Sequence, residues 1–471
     1  MRIRTLALAL HLTVTVAVLP LALGQTQRVS RASAPRPEVS NGLAASANRR
    51  YFVDAKTGRP VFLLADTAWN LGALKLEEID AYLASRSGHG FNTIMFALNF
   101  APQADERNAY GQPAYIGRDK NELNPEYFKT CDAIVQKCAE RGLFVMLYAM
   151  WAGPKAGMMN FYAPHELAQL GRALGARYRG VRHVIFCAGG EATPHYIEVE
   201  TVSALGAALK EGCGGENLVT VHPVSGNSTS KFFPGAPWLD FYMSQGKSSL
   251  SPASGAYDAA ALVEGDYRIA AVKPTLMAEH RYESGVNEDP LIQRRSLYQC
   301  VFAGGAGYGY GHNALWQMTP HTAQEWMLKG WNAGVEHWRE ALDTPAVRQL
   351  QHIFPLLYSR PFLERIPDQS LVLEGQGGDV ATRVQVTRDG TLGKKDATYV
   401  MAYLSAPRPV VLDTRVIAAE RLTAYWFDPA TGATETLEAQ VMNSGMLRVG
   451  PGDRQGDAVV VIEDAAKRYW R

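Results

Sequence analysis

Val184-Ile185-Phe186-Cys187-Ala188-Gly189-Gly190-Glu191 reads as a strand that ends in a glycine turn and a carboxylate. Five apolar residues without polar alternation fit a strand of a parallel sheet covered on both faces. The stretch Pro274-Thr275-Leu276-Met277-Ala278-Glu279 repeats the pattern. Similar apolar runs lie at 61–65, 93–97, 143–149, 218–222, 241–244 and 307–310. Helical patterns at 76–87, 125–141, 165–178, 198–210 and 290–302 separate them. Eight buried strands alternating with amphipathic helices predict an α/β fold, a (β/α)8 TIM barrel rather than an open doubly wound sheet. Neither GxGxxG nor GxxxxGK[ST] follows the first strand, which argues against a nucleotide-binding fold.

Outside this core the texture changes. Arg2 and Arg4 precede an apolar stretch at 6–23, and Ala22-Leu23-Gly24 offers a small-residue cleavage site, so residues 1–24 read as a signal peptide. Cleavage there leaves no stable membrane span and places the protein outside the cell or in the periplasm. Residues 25–47, rich in Ser, Ala, Pro and Arg, read as a flexible leader. The barrel is expected over 48–358, closed by a helical segment at 321–358. Alternating patterns at 382–386, 398–404, 422–427 and 458–462, with turns such as Asp428-Pro429-Ala430-Thr431-Gly432, predict a smaller all-β sandwich domain over 359–471.

Composition excludes several functions. The chain carries 47 basic and 46 acidic side chains and no long basic run, so nucleic acid is not an expected partner. Its five cysteines form no disulfide framework. Cys131 and Cys138, seven apart on one helix, stand about 10 Å apart along its axis, and all five read as buried thiols. HExxH, clustered His and Asp-rich loops are absent, so neither a metal nor another cofactor is expected.

In a parallel barrel the working side chains gather at the C-terminal ends of the strands. Those ends read Asp66 and Trp69, Asn99, Trp151, Glu191, His222, Gln245, Glu279, then His312 with Trp316 close behind. Glu191 and Glu279 follow the fourth and seventh strands, which face each other across the barrel mouth. Glycosidic bonds need such a pair, one group at the anomeric carbon and one to protonate the leaving oxygen. Glu191 and Glu279 are therefore the expected catalytic residues. Glu283 lies further into its loop and is expected to pair with Arg281 or Arg295. Trp69, Trp151 and Trp316 can stack on a sugar face, and Asp66, Asn99, His222 and Gln245 can hydrogen-bond hydroxyls. His312 can orient a carboxylate. Asp66 reads equally as a helix cap, and each Trp equally as packing.

Several separated motifs resemble the apiosidase-like proteins of glycoside hydrolase family 140. They are Tyr51-Phe52-Val53-Asp54 through Pro60, Leu64-Ala65-Asp66-Thr67-Ala68-Trp69, Gly90-Phe91-Asn92-Thr93-Ile94, Asn124-Pro125-Glu126-Tyr127-Phe128, Ala188-Gly189-Gly190-Glu191, Trp238-Leu239-Asp240-Phe241 and Gly311-His312-Asn313-Ala314-Leu315-Trp316. The remainder, with Trp426-Phe427-Asp428-Pro429, is similar to a collagen-binding-type β-rich module. The resemblance implies a hydrolase of plant or bacterial glycans, with an oligo- or polysaccharide substrate. Positions four and seven match the clan of retaining glycosidases, where the fourth-strand residue is the acid/base and the seventh the nucleophile. In the family the fourth-strand acid is usually Asp; here it is Glu191. A non-catalytic glycan- or matrix-binding protein on a degenerate barrel is the competing expectation. A protease is not, since no nucleophile elbow or zinc motif occurs.

Overall fold

All eight apolar runs become strands of one sheet: β1 (Leu63–Thr67), β2 (Thr93–Ala97), β3 (Phe144–Tyr148), β4 (Val184–Cys187), β5 (Val219–Thr220), β6 (Tyr242–Gln245), β7 (Thr275–Glu279) and β8 (Gly307–Tyr310). The computed structural model describes residues 37–98, 107–117, 122–152, 158–246, 258–284, 289–318 and 337–470. The segment expected as a signal peptide and most of the leader lie outside them. No helix among the described residues is long and apolar enough to cross a membrane.

The sheet runs β5-β4-β3-β2-β1-β8-β7-β6, every neighbouring pair parallel, so the last strand returns beside the first. A short strand, Asn227–Ser228, adds to β6 antiparallel. No ladder joins β5 to β6. Asp240 spans this seam: its N–H donates to the Val219 carbonyl at 2.8 Å, and its carboxylate accepts from Val219 N–H at 2.7 Å and from Lys210 at 2.6 Å. Thr220 Oγ1 donates to the Phe241 carbonyl at 2.9 Å. One backbone hydrogen bond and three from side chains thus hold together the place where the ladder stops.

Five helices follow the sequence pattern closely, α1 (Leu76–Gly88), α2 (Pro125–Glu140), α3 (Pro164–Arg177), α4 (Val199–Gly212) and α6 (Pro290–Phe302); between the last two stands α5 (Ala259–Tyr267), which the pattern does not announce. Asn124 and Asp289 each cap a helix whose first residue is proline, satisfying free N–H groups where proline's fixed φ suits the first turn. Residues 39–47 are not part of a loose leader. Leu43–Ala45 pairs antiparallel with Phe52–Asp54, which pairs with Pro60–Val61. The ribbon lies under the N-terminal ends of the strands. There Phe52 meets Phe241 edge-on at 5.1 Å, and a Cβ on Gly42 would touch Arg182, just before β4. Pairing partners 7 to 11 residues downstream, not local composition, order this segment.

Beyond Ile353–Tyr358 come two antiparallel sheets. The six-stranded one has the order Ile366–Pro367, Val384–Arg388, Tyr399–Leu404, Ala458–Asp464, Arg421–Phe427, Thr434–Met442. The three-stranded one has the order Val372–Glu374, Val410–Asp413, Met446–Val449. Period-two alternation sorts the central strands between two cores. Val400, Ala402, Val460 and Ile462 face the smaller sheet with Leu412 and Val449. Tyr399, Met401, Tyr403, Val459 and Val461 join the core of the first domain. Tyr403 stacks on Tyr298 of α6 at 5.2 Å. Beside it buried Arg294 donates to Asp457 at 2.6 Å, and Tyr403 donates to the same carboxylate at 3.0 Å.

Removing one member of a buried ion pair leaves the other charge without its partner, at a cost of about 3–5 kcal/mol. Arg294→Leu should lower the melting temperature sharply, and Arg294→Leu with Asp457→Leu should recover much of the loss. Because the apolar cluster crosses the junction, calorimetry should show a single transition in the wild type.

Candidate active site

Two strand ends bring the site together. Glu279 is the last residue of β7 and only 6% exposed. After β4 the chain turns through Gly189 and Gly190 to Glu191, which has a φ of +49°, a left-handed conformation unfavourable for a glutamate. Neighbouring strands fix this corner. Gly190 N–H donates to the Met150 carbonyl at 3.0 Å, Ala152 N–H to the Gly190 carbonyl at 2.8 Å, and Ala192 N–H to the His222 carbonyl at 3.0 Å. The Trp151 indole lies directly on Gly190, where a Cβ would fall 2.0 Å from its ring, so only glycine fits.

Trp151 also hydrogen-bonds the Glu191 carboxyl. Burial, with the charge of nearby Glu279, lifts Glu191 to a pKa of about 7; His222 and the Trp151 hydrogen bond pull the other way. A carboxyl so poised can hold a proton at neutral pH.

Glu279 is surrounded by donors. His222 Nε2 lies 3.3 Å from its Oε2 and 3.2 Å from Gln245 Oε1. Facing two acceptors, Nε2 carries the proton, and Nδ1 accepts from the Tyr148 hydroxyl at 2.9 Å. Tyr282 also hydrogen-bonds Glu279, and its hydroxyl accepts from Trp69 Nε1 at 2.8 Å. Burial raises the Tyr282 pKa well above the usual phenol range, so it stays a donor. A Cβ on Gly311 would come within 1.9 Å of the Tyr282 ring; the glycine leaves room for the phenol. Trp69 closes the floor, 4.8 Å from Tyr148, 5.2 Å from Trp151 and 5.7 Å from His222 between ring centres.

Six of the residues expected from sequence thus meet: Glu191, Glu279, Trp69, Trp151, His222 and Gln245. Trp316 stands one layer back, 6.4 Å from Tyr282 between ring centres, with Nε1 donating to Asn313. Asp66 does not face the site. Strand alternation turns it outward onto α1, where it is fully buried and accepts from Tyr82 at 2.7 Å and Arg86 at 3.1 Å. His312 is buried too; its Nδ1 caps the short α7 (Asn313–Gln317) by accepting from Ala314 N–H at 3.1 Å. Glu283, expected to pair with Arg281 or Arg295, accepts from Tyr310 and Thr344, at 2.6 and 2.8 Å. Asn99 lies outside the described residues. Sequence reasoning missed Tyr148 and Tyr282. Tyr148 closes β3 and was within reach of the strand-end rule, whereas the path of the loop after β7, which brings Tyr282 back to Glu279, has no local signal. All five cysteines are buried thiols. Among the described residues, no group of three or more His, Cys, Asp or Glu could hold a metal ion.

Residues 46–364 match the family described as "Apiosidase-like, catalytic domain", and residues 366–463 match "Putative collagen-binding domain of a collagenase". Among solved structures, a glycoside hydrolase is similar at 26% identity and a TM-score of 0.80, over 93% of this chain and 100% of that one. A glycoside hydrolase family 5 protein from Bacteroides vulgatus is similar at 25% identity and a TM-score of 0.80, over 92% and 96%. No curated protein matches the chain.

The position of Glu191 has a price in stability with a definite pH dependence. Its folded pKa lies above the ordinary 4.5, so ionising it destabilises the fold: the penalty is absent below pH 4.5 and complete above about pH 7. Glu191→Gln should therefore raise the melting temperature more at pH 8 than at pH 4. An equal shift at both pH values would contradict this.

Proposed function

The chain belongs to the apiosidase-like family of glycoside hydrolases, and on that footing we propose that it cleaves a plant or bacterial polysaccharide with retention at the anomeric carbon. The observation that carries this reading is the meeting of Glu191 and Glu279 in one pocket at the ends of two strands, where burial and the neighbouring charge favour a proton on the first. In the proposed reaction a Glu279 carboxylate oxygen attacks the anomeric carbon while Glu191 gives its proton to the departing glycosidic oxygen. A glycosyl ester forms and the leaving sugar departs as an alcohol. Water then attacks the same carbon, Glu191 takes its proton, and Glu279 leaves as carboxylate. His222 and Tyr282 hold the Glu279 carboxyl in line, and Trp69, packed against Trp151, closes the floor beneath the sugar.

The same reading takes the curled sheet as a (β/α)8 barrel with its seam at β5 and β6, spanning 48–358, and the two C-terminal sheets as an accessory sandwich over 359–471. The signal-like N-terminus supports export, and glycans outside the cell are the matching substrates. The family name points to apiose-bearing glycans. Glu191 is one methylene longer than the family's usual Asp and moves the acid by about one bond, so the sugar accepted need not be apiose.

A panel of plant and bacterial polysaccharides, with product anomers followed by NMR, tests the reading. Glu191→Ala and Glu279→Ala should each lower kcat/KM by about 100-fold or more with the fold intact. A 2-fluoro glycosyl inhibitor should label Glu279. In the wild type kcat/KM should fall as pH rises through about 7, where Glu191 loses its proton. Near-wild-type activity in either variant, or an inverted product, would overturn the mechanism.

A further inference from the structure

Aromatic residues around the site divide according to which carboxylate they accompany. Tyr148 and Tyr282 feel the charge of Glu279. Tyr196 feels that of Glu191, and burial together with this charge raises its pKa. The loop after β4 carries His195 and Tyr196, whose rings meet edge to face at 4.4 Å, and Tyr196 N–H donates to the Thr193 carbonyl at 2.9 Å. The loop after β3, its neighbour in the sheet, carries the turn Met158–Phe161. That turn rests on the corner that holds Glu191: Met159 N–H donates to the Trp151 carbonyl at 3.2 Å, and Met159 Sδ lies 3.0 Å from where a Cβ on Gly189 would be. Phe161, at its end, is 71% exposed, more than any other Phe, Tyr or Trp among the described residues. One exposed phenylalanine is ordinary. One anchored to the acid's own turn, next to a loop with His195 and Tyr196 beside the acid, is a surface with a direction.

In the proposed hydrolysis, on which this inference rests, Glu191 protonates the leaving oxygen, so whatever lies on its side of the cleft meets the leaving group. We propose that Phe161 and the His195–Tyr196 pair form the platform for the leaving-group side of the glycan, so that the enzyme selects a sugar there rather than a small aglycone. A pyranose or furanose has an apolar C–H face and a polar edge. Aromatic faces take the first, and the His195 imidazole and Tyr196 hydroxyl can hydrogen-bond the second.

The test compares two substrates with the same glycone: the shortest oligosaccharide that the wild type cleaves, and the corresponding glycosyl fluoride, whose leaving group makes no contact beyond the broken bond. Phe161→Ala and Tyr196→Ala should each lower the ratio of kcat/KM for oligosaccharide to that for fluoride by about tenfold. Phe161→Tyr should restore it. Phe161 is too exposed for its truncation to threaten folding, and circular dichroism checks Tyr196→Ala. A ratio within twofold of wild type in both variants overturns the platform and leaves the hydrolase standing. A wild type that turns over no glycan of the panel and no glycosyl fluoride overturns the hydrolase, and the platform with it.

Discussion

Glu191 and Glu279 occupy one pocket, where burial, reinforced by the charge on the second, raises the pKa of the first to about 7, and the surrounding structure holds that unfavourable pair in place. Two carboxylates that repel in a partly desolvated site would separate if the chain let them. Each is therefore fixed to a different, fully buried strand, β4 and β7, on opposite sides of the curled sheet. Burial and the neighbouring charge then favour a proton on Glu191.

The way the pair is held differs at its two ends. Glu279 is supported by hydrogen-bond donors: His222, oriented by the Tyr148 hydroxyl, and Tyr282, tied to Trp69. Glu191 instead stands on a left-handed backbone corner pressed under the Trp151 indole. Positive φ costs about 1 kcal/mol or more for such a residue, and it persists because the segments just after β3 and β5 hydrogen-bond the corner from both sides. One device is a network that positions; the other is local strain that the packed sheet overrides.

The sequence was most legible where physics is local. Runs of apolar residues located all eight strands, and strand ends located Glu191, Glu279, Trp151 and Gln245, because burial on both faces leaves a plain pattern. It was least legible where a side chain's direction or a distant partner decides. Asp66 stands at a strand end as expected, yet alternation sends it to Arg86 instead of the pocket. Nothing near Tyr282 reveals that the loop folds back under Gly311, and nothing near Leu43 reveals that it will pair with Asp54. In the C-terminal sheets the short strands Val372–Glu374, Val410–Asp413 and Met446–Val449 escaped notice because each exists only through its neighbours. The interface of those sheets with the first domain joins an apolar cluster to ion pairs, Arg294 with Asp457 and Arg383 with Asp258, so the C-terminal sheets pack directly on α6.

The central claim is electrostatic, so a titration reaches it most directly. Carbon-13 NMR of side-chain-labelled glutamates can follow the Glu191 carboxyl in the wild type and in Glu279→Gln, with Glu191→Gln to assign the signal. The account predicts a wild-type midpoint near 7 that moves down once the neighbouring charge is removed. A Glu191 carboxyl that titrates in the ordinary carboxylate range, or that does not respond to Glu279→Gln, would contradict it.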